Sequence, residues 1–240
     1  MSDEDLLYIE DANKRKLFYR FTPAAIASNF VPLVVVLHGE GGAVAPNFEY
    51  KMWNVLTPLD DFGYENRGSC WLGEKGDFFV KDLLQKLIYE IAEEYECEDH
   101  IYLYGNSMGG YGAILHGILC KANAVYAHSP RIRLHKEKDT DTSMKHTYAC
   151  VCGETVSKEN DLTDFLNPTD VFPVFYLCDH TDSAESANKG ALEDETAYFV
   201  DACKRHNIKV HLDFCPKSGD DEDQTIKEVL GFFERVASEA

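Results

Sequence analysis

Positive charge is scarce in this chain, and histidine is absent after position 211. Lys and Arg number 23 against 42 Asp and Glu in 240 residues, a formal net charge of −19. Such a field opposes a polyanionic partner, so nucleic acid and anionic membrane surfaces are excluded as targets. No run approaches the roughly 18 apolar residues of a membrane span. The opening Met1-Ser2-Asp3-Glu4-Asp5 is acidic and lacks the basic and apolar blocks of an export signal, so the sequence predicts a cytoplasmic location. The eight cysteines are then expected to be reduced, several of them as small hydrophobes in apolar runs. Cys150-Val151-Cys152 has no second Cys or His pair at zinc spacing, and neither a metal nor a cofactor is expected. Internal repeats, low-complexity tracts and linkers are also missing.

What the chain does have is an alternation of apolar runs. Strands are predicted at Leu6 to Glu10, Lys16 to Phe21, Val31 to Leu37, Val55 to Asp60, Ile101 to Tyr104, Ala124 to Ala127, Val174 to Cys178 and Ile208 to Phe214. Helices are predicted at Phe78 to Glu94, Tyr111 to Lys121, Glu193 to His206 and Thr225 to Ala237. The continuous β-branched run ending at Leu37 suits a strand buried on both faces, as in parallel sheets. The expected architecture is one α/β domain over 1–240, a doubly wound, mostly parallel sheet with helices on both faces. Residues of about 131–167 are polar and poorly periodic, and read as a cap-like excursion.

One segment carries chemistry. Ile101-Tyr102-Leu103-Tyr104 leads into Gly105-Asn106-Ser107-Met108-Gly109 and then an apolar helix. The spacing is G-x-S-x-G, a strained strand-to-helix turn that lifts one hydroxyl clear of the sheet. Small residues flank the serine because the turn passes close to its own strand and helix. The Met108 N–H, at a helix N-terminus, is placed to bind a developing oxyanion. A second glycine cluster, His38-Gly39-Glu40-Gly41-Gly42, follows the Val31 to Leu37 strand and offers further backbone donors.

In this order and about seventy residues apart, the two motifs resemble the α/β-hydrolase family. The resemblance implies an oxyanion hole from the backbone of Gly39 or Glu40 together with that of Met108, and a structural His38. It also implies an acid in the loop after the Val174 to Cys178 strand. Asp182 matches the family spacing, and Asp179 is the alternative. The family's histidine belongs after the last strand, where Asp220 stands instead. Three readings stay open. Another histidine serves as base, with His180 preferred, His128 next, and His211 more suited to a structural place. Alternatively, Asp220 assists as a carboxylate. Otherwise catalysis is lost and the pocket remains for binding. The remaining histidines, His100, His116, His135, His146 and His206, read as structural or surface residues.

The set Asp61-Phe62-Gly63, Arg67-Gly68-Ser69, Trp71, the serine motif and Ser129-Pro130 is also similar to hydrolase-like domains of bacterial surface-glycan biosynthesis, over about residues 31 to 134. That similarity implies acyl groups on carbohydrate as candidate substrates; Phe62, Tyr64 and Trp71 read either as rings that stack on a sugar or, more commonly in such loops, as packing. The expected function is hydrolysis of a small-molecule or carbohydrate ester through an acyl-enzyme on Ser107, or transfer of the acyl group to a sugar hydroxyl.

Overall fold

The computed structural model describes residues 6–26, 31–41, 50–134, 142–167, 169–181, 189–216 and 222–239. Eight strands form one sheet: β1 (Leu7–Glu10), β2 (Lys16–Thr22), β3 (Leu33–Leu37), β4 (Asn54–Leu59), β5 (Ile101–Asn106), β6 (Ala124–His128), β7 (Val174–Thr181) and β8 (Val210–Pro216). Their order is β1-β2-β4-β3-β5-β6-β7-β8. The β1–β2 hairpin and the β2–β4 pair are antiparallel, and every other pairing is parallel. The tight turn of the hairpin is held by the Asp11 carboxylate, which accepts from the Asn13 and Arg15 amides at 2.8 and 2.9 Å.

All five residues of β3 are buried, and alternation divides them between two layers. Leu33, Val35 and Leu37 join a large core with α1 (Phe79–Glu94), α2 (Met108–Leu119) and α4 (Lys189–Arg205). Val34 and Val36 face Trp53, Tyr102 and α5 (Glu222–Glu239) on the other side. The buried face of α1 includes the apolar stripe Leu83, Leu84, Leu87, Ile88 and Ile91. Each such side chain contributes about 1.5–3 kcal/mol relative to exposure. On the α5 face one row of rings crosses four strands in register, Tyr104, Tyr126, Tyr176 and His211. Successive centroids are 6.0, 4.7 and 6.2 Å apart.

Two expectations change. The polar stretch after residue 131 contains a helix, α3 (Thr142–Val151), which packs on the turn at Tyr64–Asn66. Among its described side chains Thr147, Tyr148 and Val151 are buried, a spacing of little more than one turn and too short for a readable period. The strand predicted to stop at Cys178 continues to Thr181, because Asp179, His180 and Thr181 still pair with Phe214, Cys215 and Pro216 of β8.

Candidate active site

The parallel strands end along one edge of the sheet, where open α/β sheets place their ligands. Leu37 of β3 pairs with Gly105 of β5, Asn106 of β5 with His128 of β6, and His128 with Cys178 of β7. The residues at or just past those positions, His38, Ser107, Ser129 and Asp179, therefore line up along this edge.

Ser107 sits between β5 and α2 with φ 53° and ψ −113°, in the left-handed half of conformational space. A non-glycine residue keeps such a conformation only where its surroundings dictate it. They do so here. The Ser107 amide donates to the His128 carbonyl at 2.8 Å, and the Ser107 carbonyl accepts from the Tyr111 amide at 3.1 Å. The flanking glycines are required by space. A Cβ on Gly105 would run into the Gly109 carbonyl, and one on Gly109 into the Leu37 carbonyl of the neighbouring strand. The Ser107 hydroxyl has no hydrogen-bond partner among the described residues.

The bend after β3 lies against this turn. A Cβ built on Gly39 would be 3.1 Å from the Asn106 carbonyl oxygen and 3.8 Å from the Ser107 Cβ. The Gly39 and Met108 amides have no acceptor among the described residues. His38 is 7% exposed and fixes this bend. Its Nε2 accepts from the Asp60 amide at 2.9 Å, so the proton is on Nδ1, which donates to the Gly39 carbonyl at 2.8 Å. With both ring nitrogens engaged, His38 is a spacer. Glu40 follows, 3.5 Å from the Arg67 guanidinium, and Gly42 lies outside the described residues.

A fully buried aspartate organises the loop facing Met108. Asp60 accepts from the Ser69 amide at 2.7 Å, the Ser69 hydroxyl at 3.0 Å and the Trp71 amide at 2.9 Å. Burial raises its carboxyl above the ordinary range, and the Ser69 and Trp71 donors pull it back. The sequence pattern missed this role, since Asp60 reads as the last residue of a strand. The available signal was an acid directly ahead of a glycine-rich loop. Trp71 is fully buried, with its indole N–H 3.3 Å from the His38 carbonyl. It is therefore a core residue, the packing alternative, and not one that stacks on a sugar. Phe62 packs edge-on against Phe79, and Tyr64 lies against His146 of α3.

On β7, Asp179 is buried, and both its oxygens are held. One accepts from Ser129 Oγ at 3.2 Å, the other from Thr196 Oγ1 at 3.1 Å. Ser129, also unremarked as a polar partner, holds φ 42° just past β6. Asp179 and His180 are thus strand residues, a correction to their expected place in a loop. The side chain of His180, and the whole of Asp182 and Asp220, lie outside the described residues. His128 ends β6 beside Asn106, and His211 lies in the ring row of the α5 face, away from the strand ends. Among the described residues no group of three or more His, Cys, Asp or Glu is arranged to hold a metal ion.

No protein-family model matches the chain, and no curated protein matches it by sequence. Solved structures do resemble it. The fluorophosphonate-binding serine hydrolase FphF of Staphylococcus aureus is 14% identical, with 95% of this chain and 96% of that chain covered at a TM-score of 0.67. An S-formylglutathione hydrolase from Agrobacterium tumefaciens is 12% identical, with 97% and 94% covered at 0.70. The capsule O-acetyltransferase of Neisseria meningitidis serogroup A is 14% identical, with 96% and 93% covered at 0.62. With the strand order and the serine turn between β5 and α2, these likenesses establish that the chain has the α/β-hydrolase fold.

Proposed function

We propose that the protein is a serine hydrolase that cleaves a carboxylic ester through an acyl-enzyme on Ser107. The observation that carries this reading is the Ser107 turn, held at φ 53° with its hydroxyl unengaged by described residues and the Gly39 bend alongside. In the first step Ser107 Oγ attacks the ester carbonyl while a base takes its proton. The Met108 amide and that of Gly39 or Glu40 receive the negative charge on the carbonyl oxygen. The base returns the proton to the leaving alcohol, and a water molecule then releases the acyl group by the same route.

His180, oriented by Asp182, is the proposed base. His128 is the second candidate, favoured by its pairing with Asn106 and by its carbonyl, which takes the Ser107 amide. Transfer to a carbohydrate hydroxyl in place of water uses the same residues. The likeness to the capsule O-acetyltransferase and the motif set between Asp61 and Pro130 support that variant.

Labelling with a fluorophosphonate probe tests the reading. Wild-type protein is expected to label at neutral pH, and Ser107→Ala to label not at all. A folded wild type that does not label would refute the hydrolase reading and leave a binding module on the same scaffold. On a 4-nitrophenyl ester, His180→Ala should fall to the Ser107→Ala rate. Undiminished turnover, with loss in His128→Ala instead, would move the base to β6. Residual catalysis of roughly 10³–10⁴ over water is expected even without the base.

A further inference from the structure

We infer that Arg67 is the specificity-determining residue of this site and that the ester it accepts carries a carboxylate. The inference rests on the hydrolase reading of Ser107 and adds the chemical class of substrate.

The loop from residue 63 to residue 71 is the most strained segment described. Glu65, Asn66, Cys70 and Trp71 have positive φ, from 53° to 60°, alongside Gly63 and Gly68 at 80° and 113°, where glycine takes such angles without penalty. Strain of this density persists only where it is over-determined, and it gathers where a side chain must be presented in a set place. The anchors are explicit. Asp60 holds the Ser69 and Trp71 amides. Glu74 accepts from the Gly63 amide at 2.9 Å, and the Phe62 carbonyl from the Gly68 amide at 2.8 Å. None of these contacts involves the side chain of Arg67, which the loop projects.

Arg67 is thereby set between the two halves of the proposed oxyanion site. Its carbonyl accepts from the Gly41 amide at 2.8 Å, and its Nε would lie 3.7 Å from a Cβ on Gly41. The next residue, Gly68, is pressed so closely on the Met108 side chain that a Cβ there would collide with the thioether. The side chain is 47% exposed, and among the described residues the guanidinium's ion-pair partner is Glu40, at a loose 3.5 Å through one nitrogen. Arginine offers five N–H donors in a planar fork that matches a carboxylate in two-point fashion. One long contact leaves most of that fork unengaged by the described residues. A chain with 42 acidic residues against 23 basic ones repels anions at long range, so an anionic substrate needs a local cation of this kind.

The test compares 4-nitrophenyl hemisuccinate, which bears a carboxylate, with neutral 4-nitrophenyl acetate. Wild type should favour the hemisuccinate in kcat/KM. Arg67→Gln should lower the hemisuccinate-to-acetate ratio about 10- to 100-fold, the range expected for one charge-assisted contact. Arg67→Lys should restore part of it, because charge returns without the fork. A ratio that does not change in Arg67→Gln would overturn the inference. If wild type neither turns over nor labels with a fluorophosphonate, the hydrolase reading has failed, and calorimetry with succinate decides the Arg67 assignment separately. Heat seen with wild type and lost in Arg67→Gln supports it. No heat with wild type, or equal heat from both proteins, refutes it.

Discussion

His116 makes the fold sensitive to mild acid. It lies on the inner face of α2, wholly buried, between Trp71 and Gln85. Its Nε2–H donates to the Trp71 carbonyl at 3.1 Å, and its Nδ1 lies 2.7 Å from the Gln85 amide nitrogen. Removal from water depresses its pKa from 6.5 to about 4, with Lys81 adding to the effect. The sign follows from linkage. Above pH 6.5 the ring is neutral in both folded and unfolded chains. Between 6.5 and 4 the unfolded chain binds a proton that the folded chain refuses, so stability falls as pH falls. The full loss is about 3 kcal/mol, and about 2 kcal/mol of it should appear between pH 7 and pH 5. Carboxylates titrate in the same range, so the measurement is a difference. Urea unfolding of wild type and His116→Gln is followed at pH 7, 6 and 5. The variant starts less stable because it loses contacts, but its pH dependence should be shallower by about 2 kcal/mol over that interval. Parallel curves would refute the assignment of the buried neutral ring as the source.

Two further expectations concern packing. Gly109→Ala should destabilise by about 3 kcal/mol or more, because its Cβ meets the Leu37 backbone, whereas Gly231→Ala in α5, with nothing within 4 Å, should stabilise by about 0.5–1 kcal/mol. Thermal unfolding of the two variants checks the contrast, and a benign Gly109→Ala would deny the close approach of β3 and α2. Asp60→Asn keeps one oxygen for the Ser69 and Trp71 amides but places an NH₂ where the other oxygen faces the Ser69 hydroxyl and the Phe62 amide, and with the charge gone should cost about 1–3 kcal/mol. Its hemisuccinate preference should fall with it, since the loop that presents Arg67 loses its anchor. Wild-type stability in this variant would remove Asp60 from the role.

The legible parts of the sequence were those where one residue type has one physical use. The all-apolar β3 run, the amphipathic stripe of α1 and the small residues around Ser107 each signal a geometry that few alternatives satisfy. The end of β7 was not legible. Asp179 and His180 are polar, and polarity reads as loop, yet the strand persists because backbone pairing with β8 does not depend on side-chain character. Asp179 is tolerated inside because Ser129, fifty positions away, and Thr196 donate to it, and no local pattern announces such partners. Asp60 was hidden for the same reason. Trp71, an aromatic in a glycine-rich loop, reads equally as a sugar platform or as packing, and the inward turn of the loop, which places the indole under His38, decides for packing. His116 reads as structural or surface, and no local signal separates the two, since one polar residue on an apolar helix fits either face.

The two tryptophans are divided by the sheet. Trp53 packs against Tyr102 and Phe233 in the layer under α5, while Trp71 lies in the opposite layer, at the end of the loop that carries Arg67 and bonded to Asp60. Each layer thus contains its own optical reporter. In single-tryptophan variants, emission from Trp71 follows events at the strand ends, and emission from Trp53 follows the packing of the far helix. A ligand that moves one signal and leaves the other still would be located by light alone.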